Sequence, residues 1–492
     1  MARSAETLVI RNATVADGSG AELFLADVAV CDGSIVYLGP AFAGDALHEV
    51  DGTGLVLAPG FIDVHTHDDL AVLQQPNMLP KLSQGVTTVV TGNCGISAAP
   101  VLRDNSLPDP MNLLGKPEGF RFATFADYVA AVKDVVPAVN VAALVGHTAL
   151  RSNHMDRLDR AATAAEVAAM RGQLEEALAG GALGLSTGLA YLSAIAATTD
   201  EVVALAEPLR GAGGIYTTHM RSETEAIRDA MQESFHVGST WGVPVIVSHL
   251  KCAGVANWGR SGEVLAALDD ARKQQAVGCD CYPYAAGSST LDLRQIDPRV
   301  KVMITWCTPY PELAGKTVAE IAELWGVDQV EAGRRLQPAG AIYHSISESD
   351  MRRILAHPAT MIGSDGLPCD PLPHPRLWGT FPRVLGRYCR DEGMFPLQEA
   401  VRKMTGLPAR RFQLEGRGLI REGYAADLVL FDAAEIRDCA TFTVSMQPSR
   451  GIHGVWVNGV RSYDVRGATG QRAGQFLPRG RQAKFVAGAT EF

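Results

Sequence analysis

Two histidines separated by a single residue, His65 and His67, end the apolar run 57–64 (LAPGFIDV). In a β-strand, residues i and i+2 point to the same face, so both imidazoles would project together from the end of this run. Imidazole is the commonest metal ligand, and the pair therefore suggests a site for a divalent metal. An isolated HxH pair is a weak pattern, because most histidines only form hydrogen bonds, so other residues have to support it.

Further residues of metal-binding type stand at the ends of predicted strands. They are Cys94 after the run 85–91, His219 after 215–218, His249 after 243–248 and Asp365 after 361–363. Any one of them could be an ordinary buried or solvated polar side chain. Catalytic groups of barrel enzymes lie at the carboxyl ends of the strands, so the shared placement of these residues favours one common site.

The middle of the chain alternates between helix and strand patterns. Thr163 and Glu166 form a capping box before an alanine-rich helix, Gly180 and Gly181 end this helix, and a short strand at 183–185 follows. The repetition of this unit predicts an α/β fold, a TIM-type (β/α)8 barrel over residues 61–414. A doubly wound open sheet is the alternative that the pattern leaves open.

The two ends of the chain share a different pattern, one of short strands and tight turns. Strand-like runs at 8–10, 27–30 and 35–38 are matched by runs at 426–431 and 454–463. We therefore expect residues 1–60 and 415–492 to form one small β-sandwich domain, with the barrel inserted between them. Residues 291–343 interrupt the rhythm of the barrel, and we expect them to form an inserted lid or subdomain near the active site.

Composition limits the partners of the protein. The 492 residues are 47% hydrophobic, enough for a large core, and carry a formal net charge of −10. An acidic chain argues against nucleic acid or an anionic membrane, and favours a small-molecule substrate. The first fifteen residues lack the apolar core of a signal peptide, and nine scattered cysteines suggest reduced thiols. We expect a cytoplasmic protein, a monomer or small homo-oligomer.

Sequence motifs along nearly the whole chain resemble those of the amidohydrolase superfamily, and more closely those of the N-acyl-D-amino-acid deacylases. They are PGFIDVHTHDD, TGNCGIS, THMRSE, SHLK, YPY and GSDG, with GHTALR, LSTGLAY, ANWGRS and HPRLWGTFPRVLG in addition. Two longer stretches, ITWCTPYPELAGKTVAEIAELWG and PAGAIYHSISESDMRRIL, resemble most the D-glutamate and D-aspartate deacylase branch.

The resemblance implies zinc as the cofactor and divides the ligands into two sets. Cys94 matches the cysteine that this branch uses in place of a carboxylated lysine. One tight zinc site would consist of Cys94, His219 and His249, which suits zinc because thiolate and imidazole are its usual ligands. A second, weaker position would consist of His65, His67 and Asp365. Asp365 would also be the catalytic general base.

The resemblance further assigns residues to the acylated amino acid. Its α-carboxylate and neighbouring groups would be bound by Lys251, Tyr282, Ser289 and Arg376, with Tyr191 of the LSTGLAY motif beside them. An acidic substrate side chain needs one more cation, for which Arg294 is the candidate; an ordinary exposed arginine is the alternative there.

The predicted activity is the zinc-dependent hydrolysis of N-acyl-D-amino acids to a carboxylate and a free D-amino acid, with acidic D-amino acids as a narrower possibility. Two other hydrolases stay open, a D-stereospecific dipeptidase and a hydantoinase-like hydrolase of cyclic amides; the thiolate of Cys94 argues against the latter. A non-catalytic scaffold of the same fold is the alternative from another class, although every ligand position holds a competent residue.

Overall fold

A ring of parallel strands forms the centre of the molecule. The computed structural model describes residues 7–102 and 107–480. Within them, the ring consists of Phe61–Asp63, Val86–Thr91, Asn140–Ala143 continued by Val145–Gly146, Gly184–Gly188, Ile215–His219, Val245–Val247, Val277–Cys281 and Thr360–Ile362. Each strand lies parallel to the next. Beyond the eighth strand, Asp365 donates its backbone N–H to the carbonyl oxygen of His65, 2.8 Å away, and closes the ring.

This closure confirms the predicted α/β barrel and excludes the open sheet. The surrounding helices are Ala71–Gln74, Leu79–Leu82, Phe125–Val135, His147–His154, Ala164–Ala179, Thr199–Ala212, Ile227–Trp241, Ser261–Arg272, Glu348–Ala356, Arg376–Arg383, Leu397–Met404 and Gly406–Arg411, with a π-helix at Val384–Asp391. The predicted capping box is present, because Thr163 accepts from the backbone of Glu166 and Glu166 accepts from that of Thr163.

Both ends of the chain build one nine-stranded sheet among the described residues. Its strands are Thr7–Val15, Phe24–Cys31, Ser34–Gly39, His48–Asp51, Val56–Pro59, Leu428–Phe431, Ile452–Val457, Val460–Asp464 and Gly467–Ala468. The two ends meet where Val56–Pro59 pairs antiparallel with Leu428–Phe431. Because only Gly60 separates Pro59 from Phe61, where the first barrel strand begins, this sheet sets the position of the strand that leads to His65 and His67.

We propose the domain division 1–60 with 415–492 around the barrel of 61–414, with two qualifications. Residues 1–6 and 481–492 of the proposed terminal domain lie outside the described residues. The segment before residue 480 returns to the barrel, where Leu477 donates its backbone N–H to the carbonyl of Val141 at 2.7 Å and Val141 donates to that of Gln475 at 2.9 Å.

The predicted insertion has its own sheet and its own core. Gly287–Thr290, Ala339–Tyr343 and Val302–Cys307 form an antiparallel sheet in this order, and the helices Val318–Trp325 and Gln329–Leu336 accompany it. Apolar side chains such as Ile304, Ile321 and Leu336 are fully buried in a separate cluster. We propose residues 291–343 as the inserted subdomain; the first strand of its sheet starts slightly earlier, at Gly287.

Two further observations concern membrane-spanning helices and cysteines. In the described part of the chain, no helix combines the length and the apolar character needed to cross a membrane. All nine cysteines are free thiols, five of them buried. The scattered spacing of the cysteines in the sequence therefore corresponds to single thiols in the fold.

Candidate metal centre

The six predicted metal ligands lie at the carboxyl ends of the barrel strands and form two groups that share Cys94. One group contains His65, His67, Cys94 and Asp365, and the other contains Cys94, His219 and His249; within each, the ligand atoms lie within 4.8 Å of one another. The Sγ atom of Cys94 is 3.1 Å from Nε2 of His65 and 3.3 Å from Nε2 of His249. The thiol therefore stands between the two predicted sites.

Three of the predicted ligands have unusual backbone conformations. Cys94, His249 and Asp365 have φ angles of 54°, 35° and 50°, in the left-handed region that residues other than glycine rarely adopt. Glycines allow the chain to pass close by. A Cβ atom at Gly363 would lie 2.6 Å from the Cβ of His65, so only glycine fits beside this ligand.

The donor set fits zinc. Zinc prefers thiolate and imidazole at about 2.3 and 2.0 Å, and a tetrahedral arrangement separates such sulfur and nitrogen atoms by about 3.5 Å. The observed separations of 3.1 and 3.3 Å are close to this value. Burial raises the pKa of the Cys94 thiol, but the charges of His65 and His249 outweigh it and hold this pKa well below the usual value. A thiolate is the form that binds metal.

Two carboxylates hold the ligands from behind, and sequence reasoning missed both. Asp280 accepts a hydrogen bond from the backbone N–H of His249 at 2.9 Å, and its carboxylate lies 3.4 Å from Nδ1 of His65. Glu223 lies 2.9 Å from Nδ1 of His249 and 2.6 Å from Nζ of Lys251. Such partners orient metal-bound imidazoles. The available signals were the end of the strand Val277–Cys281 for Asp280 and the THMRSE motif for Glu223.

Asp365 is positioned between the ligands and a cation. Its Oδ1 is 3.1 Å from Nε2 of His67 and 3.5 Å from Nε2 of His65, while Oδ2 is 2.8 Å from Nη1 of Arg376. Burial raises the pKa of Asp365, but the charges of Arg376 and His65 outweigh this effect and hold the pKa well below the usual value. The carboxylate is therefore ionised at neutral pH and able to accept a proton.

Two of the predicted substrate-binding residues lie close to the ring of a third, Tyr282. Nζ of Lys251 lies 5.8 Å and the guanidinium carbon of Arg376 lies 4.6 Å from the centre of this ring. Tyr191 packs against the imidazole of His219 with ring centres 4.8 Å apart, and Ser289 lies on the strand Gly287–Thr290.

Several polar atoms in this region are buried without a hydrogen-bond partner among the described residues. Tyr282 Oη, Arg376 Nε and Ser288 Oγ are examples. Buried polar groups in folded proteins normally have a partner, so these atoms mark a place where a ligand can supply one.

Arg294 has a more local environment than the prediction required. Its guanidinium is half-exposed and pairs with Asp292 through Nη2 at 2.7 Å and Nε at 3.0 Å. Nη2 also donates to the carbonyl oxygen of Ala190 at 3.0 Å, next to Tyr191. The arginine therefore lies beside the loop of the candidate site, but an acidic substrate would have to compete with Asp292 for it.

The protein is similar to known deacylases in both sequence and structure. Residues 48–463 match the family model described as amidohydrolase family. A D-aminoacylase of Alcaligenes xylosoxydans xylosoxydans is 50% identical over 472 residues, which are 96% of this chain and 97% of the relative. An N-acyl-D-aspartate deacylase of the same organism is 50% identical over 473 residues, 96% of this chain and 95% of the relative.

Two solved structures extend the comparison to the metals. N-acyl-D-glutamate deacylase from Bordetella bronchiseptica, in complex with zinc and a phosphonate mimic of the tetrahedral intermediate, matches with a TM-score of 0.93 at 43% identity, over 97% of this chain and 100% of that one. A D-aminoacylase described as having a binuclear metal centre, activated by one metal and attenuated by the second, matches with a TM-score of 0.94 at 49% identity, over 96% and 99%.

Proposed function

The chain belongs to the amidohydrolase family, and we propose that it is a zinc-dependent deacylase that hydrolyses N-acyl-D-amino acids to a carboxylate and a free D-amino acid. The observation that carries the proposal is the pair of ligand groups that share Cys94, buried at the carboxyl end of the barrel. The D-aminoacylase and the N-acyl-D-aspartate deacylase match almost the whole chain, and both names describe this class of reaction.

We assign the ligands as follows. Cys94, His219 and His249 would hold the tightly bound zinc, and His65, His67 and Asp365, with Cys94 at their edge, would hold the weaker metal. Bound zinc would polarise the scissile carbonyl and lower the pKa of water from 15.7 towards about 7.

The residues of the chain would carry the proton and the substrate. Asp365 would accept a proton from the attacking water and return it to the leaving nitrogen, which departs poorly unless protonated. Arg376 and Lys251, both close to the ring of Tyr282, would bind the α-carboxylate, since the guanidinium of Arg376 still has its Nε free of protein partners among the described residues.

The proposal is tested by the hydrolysis of paired D and L forms of N-acetyl-leucine, N-acetyl-methionine and N-acetyl-glutamate, with and without added zinc. We expect turnover of the D series only, stimulated by zinc, and a loss of at least about 100-fold in kcat for Asp365→Asn, since removal of a general base typically costs 10²–10⁴-fold. Turnover of the L series alone, or of D-dipeptides or hydantoins in preference, would assign the site to another hydrolase. Purified protein that hydrolyses none of these compounds and contains no zinc after careful reconstitution would favour the scaffold.

A preference for acidic D-amino acids is the narrower form of the proposal, and Arg294 is its candidate determinant. Asp292 now neutralises this guanidinium, so the variant Asp292→Asn would release it for a substrate carboxylate. We expect Asp292→Asn to raise kcat/KM for N-acetyl-D-glutamate relative to N-acetyl-D-leucine, and Arg294→Ala to lower the same ratio. An unchanged ratio in both variants would remove Arg294 from the proposal.

We also propose that the protein acts in the cytoplasm as a monomer or small homo-oligomer. The nine free thiols support a reducing compartment, because cysteines in oxidising compartments are usually paired in disulfides.

A further inference from the structure

We propose that Lys81 is a positioning residue: it sets where His65 and His67 lie relative to Asp365 without contacting any of the three. The inference rests on the proposed function, because it concerns His65, His67 and Asp365 in the roles assigned there. Lys81 belongs to the short helix Leu79–Leu82, which packs on the outside of the barrel, yet its side chain is fully buried.

The ammonium of Lys81 joins three side chains of two strand ends. Nζ is 2.8 Å from Oδ2 of Asp63, 3.1 Å from Oδ2 of Asp68 and 3.0 Å from Oγ of Ser364. Asp63 and Asp68 are as buried as Lys81 itself. A buried charge is costly unless it is paired, so the position of this ammonium is fixed by its partners and theirs by it.

Each partner of Lys81 stands next to a residue of the metal centre. Asp68 follows His67, Ser364 precedes Asp365, and Asp63 lies two residues before His65. Through these three partners, Nζ of Lys81 is connected to the backbone next to each residue assigned to the weaker position, His65, His67 and Asp365. A shift of any partner would be transmitted to its neighbour through one or two peptide units, which are rigid planes.

The same cluster closes the seam between the first and the last barrel strands. The second oxygen of Asp63, Oδ1, accepts the backbone N–H of Ser364 at 2.8 Å, and Ser364 Oγ accepts the backbone N–H of Gly366 at 3.2 Å. The seam carries His65 and His67 on one side and Asp365 on the other. Cys94, His219 and His249 lie on loops and strands elsewhere around the ring, so the two predicted metal positions depend on Lys81 to different degrees.

A matched control exists in Lys403, the other lysine whose side chain is fully buried among the described residues. Its Nζ donates to the backbone carbonyls of His357 and Thr360, before and at the start of the eighth strand. Lys403 is thus a buried lysine of the same barrel that contacts the opposite end of the strand leading to Asp365. A loss of function caused by removal of any buried ammonium would be shared by both residues.

The test compares Lys81→Met, Asp68→Asn and Lys403→Met with wild-type protein that has been freed of metal. Zinc is added back, and the affinities of the first and second equivalents are measured by calorimetry, alongside kcat, KM and the melting temperature. We expect Lys81→Met to weaken binding of the second zinc and to lower kcat by about 10–100-fold each, the range found for residues that orient metal ligands, with little change in KM or the first zinc. Asp68→Asn should act in the same direction but less, and Lys403→Met should lower only stability.

The outcomes separate this inference from a purely structural role. If Lys81→Met binds both zinc equivalents like the wild type and keeps kcat, Lys81 positions nothing. If it loses both equivalents alike, or if Lys403→Met changes the second equivalent just as much, the effect is one of general stability. Should Lys81→Met not fold, Asp68→Asn decides by the same criteria. If the wild type hydrolyses no N-acyl-D-amino acid, the zinc titration still tests Lys81, so the two proposals fail separately.

Discussion

The substitution Asp280→Asn tests how much the metal centre depends on a carboxylate that is not itself a ligand. Asp280 lies behind two histidines, accepting from the backbone of His249 at 2.9 Å and facing Nδ1 of His65 at 3.4 Å. Asparagine has the same shape and can still accept from His249 with its amide oxygen. Its NH2 group would then face His65, so the substitution changes the interaction with one imidazole.

The size of the effect follows from the proton on His65. Nε2 of His65 points to Cys94 and is the nitrogen that can bind metal, so Nδ1 must carry the proton. A carboxylate accepts this proton, whereas the NH2 group of asparagine presents a second donor. Hydrogen bonds to charged groups contribute about 1.5–3 kcal/mol, and the long distance favours the lower end. We therefore expect the Kd of zinc at the position of His65 to rise about tenfold.

Zinc titration of the metal-free protein measures this Kd, and Asp427→Asn is the control. Asp427 is also buried and also accepts a backbone hydrogen bond, from Asn458 at 2.8 Å, but it lies directly before the strand Leu428–Phe431 of the terminal sheet, away from the predicted ligands. The control should lower the melting temperature and leave zinc affinity unchanged. A Kd within twofold of wild type in a folded Asp280→Asn protein would refute the argument, because the carboxylate would then contribute nothing to the orientation of His65.

Two further predictions concern the ligands and the pH dependence of stability. Because Cys94 is shared by both ligand groups, Cys94→Ala should weaken both zinc equivalents, whereas His67→Ala should lower kcat and keep the tight zinc; retained zinc in Cys94→Ala with its loss in His67→Ala would reverse our division. The pKa of Glu201 is raised by burial but lowered more by its contacts with His147, the backbone of Ala162 and Arg151 together, to about 2. The ionised carboxylate therefore stabilises the fold above its ordinary pKa of 4.5, by about 3 kcal/mol, and this contribution is lost as the pH falls towards 2. Glu201→Gln should melt below wild type at pH 7, and this difference should shrink as the pH falls from about 4.5 towards 2; a constant difference would contradict the assigned pKa.

The clustering of the predicted ligands could be foreseen from the sequence because the barrel repeats one local rule. His219 and His249 end parallel strands, and parallel strands bring their carboxyl ends to one face of the sheet. A residue type and a strand boundary were then sufficient to bring each predicted ligand to this face. The same reasoning could not find Lys81, because its helix has four residues and its partner Ser364 is 283 residues away. Nothing local in that helix marks its lysine as buried.

For Arg294, in contrast, a local contact decides whether the side chain is available to a substrate. The residue does lie near the candidate site, through the carbonyl of Ala190, as its place after the YPY motif suggested. Its charge is nevertheless paired with Asp292, two residues earlier. Both residues are visible in the sequence, but the side chains of an aspartate and an arginine two residues apart can also point in different directions. Whether the pair forms depends on the short helix Leu293–Gln295, which Asp292 caps.

The backbone conformations at the predicted ligands show that the geometry of the site requires more than the right types of residue. Cys94, His249 and Asp365 have left-handed conformations, each of which costs about 1–2 kcal/mol for a residue with a Cβ atom. Each of these residues follows the end of a barrel strand, and its ligand atom lies within 4.8 Å of the other members of its group. Strain of this kind persists only where the surrounding structure holds it. The bonds of Asp280 to the backbone of His249 and of His65 to that of Asp365 supply such support, so the ligand geometry is a property of the whole strand-end network rather than of the six ligands alone.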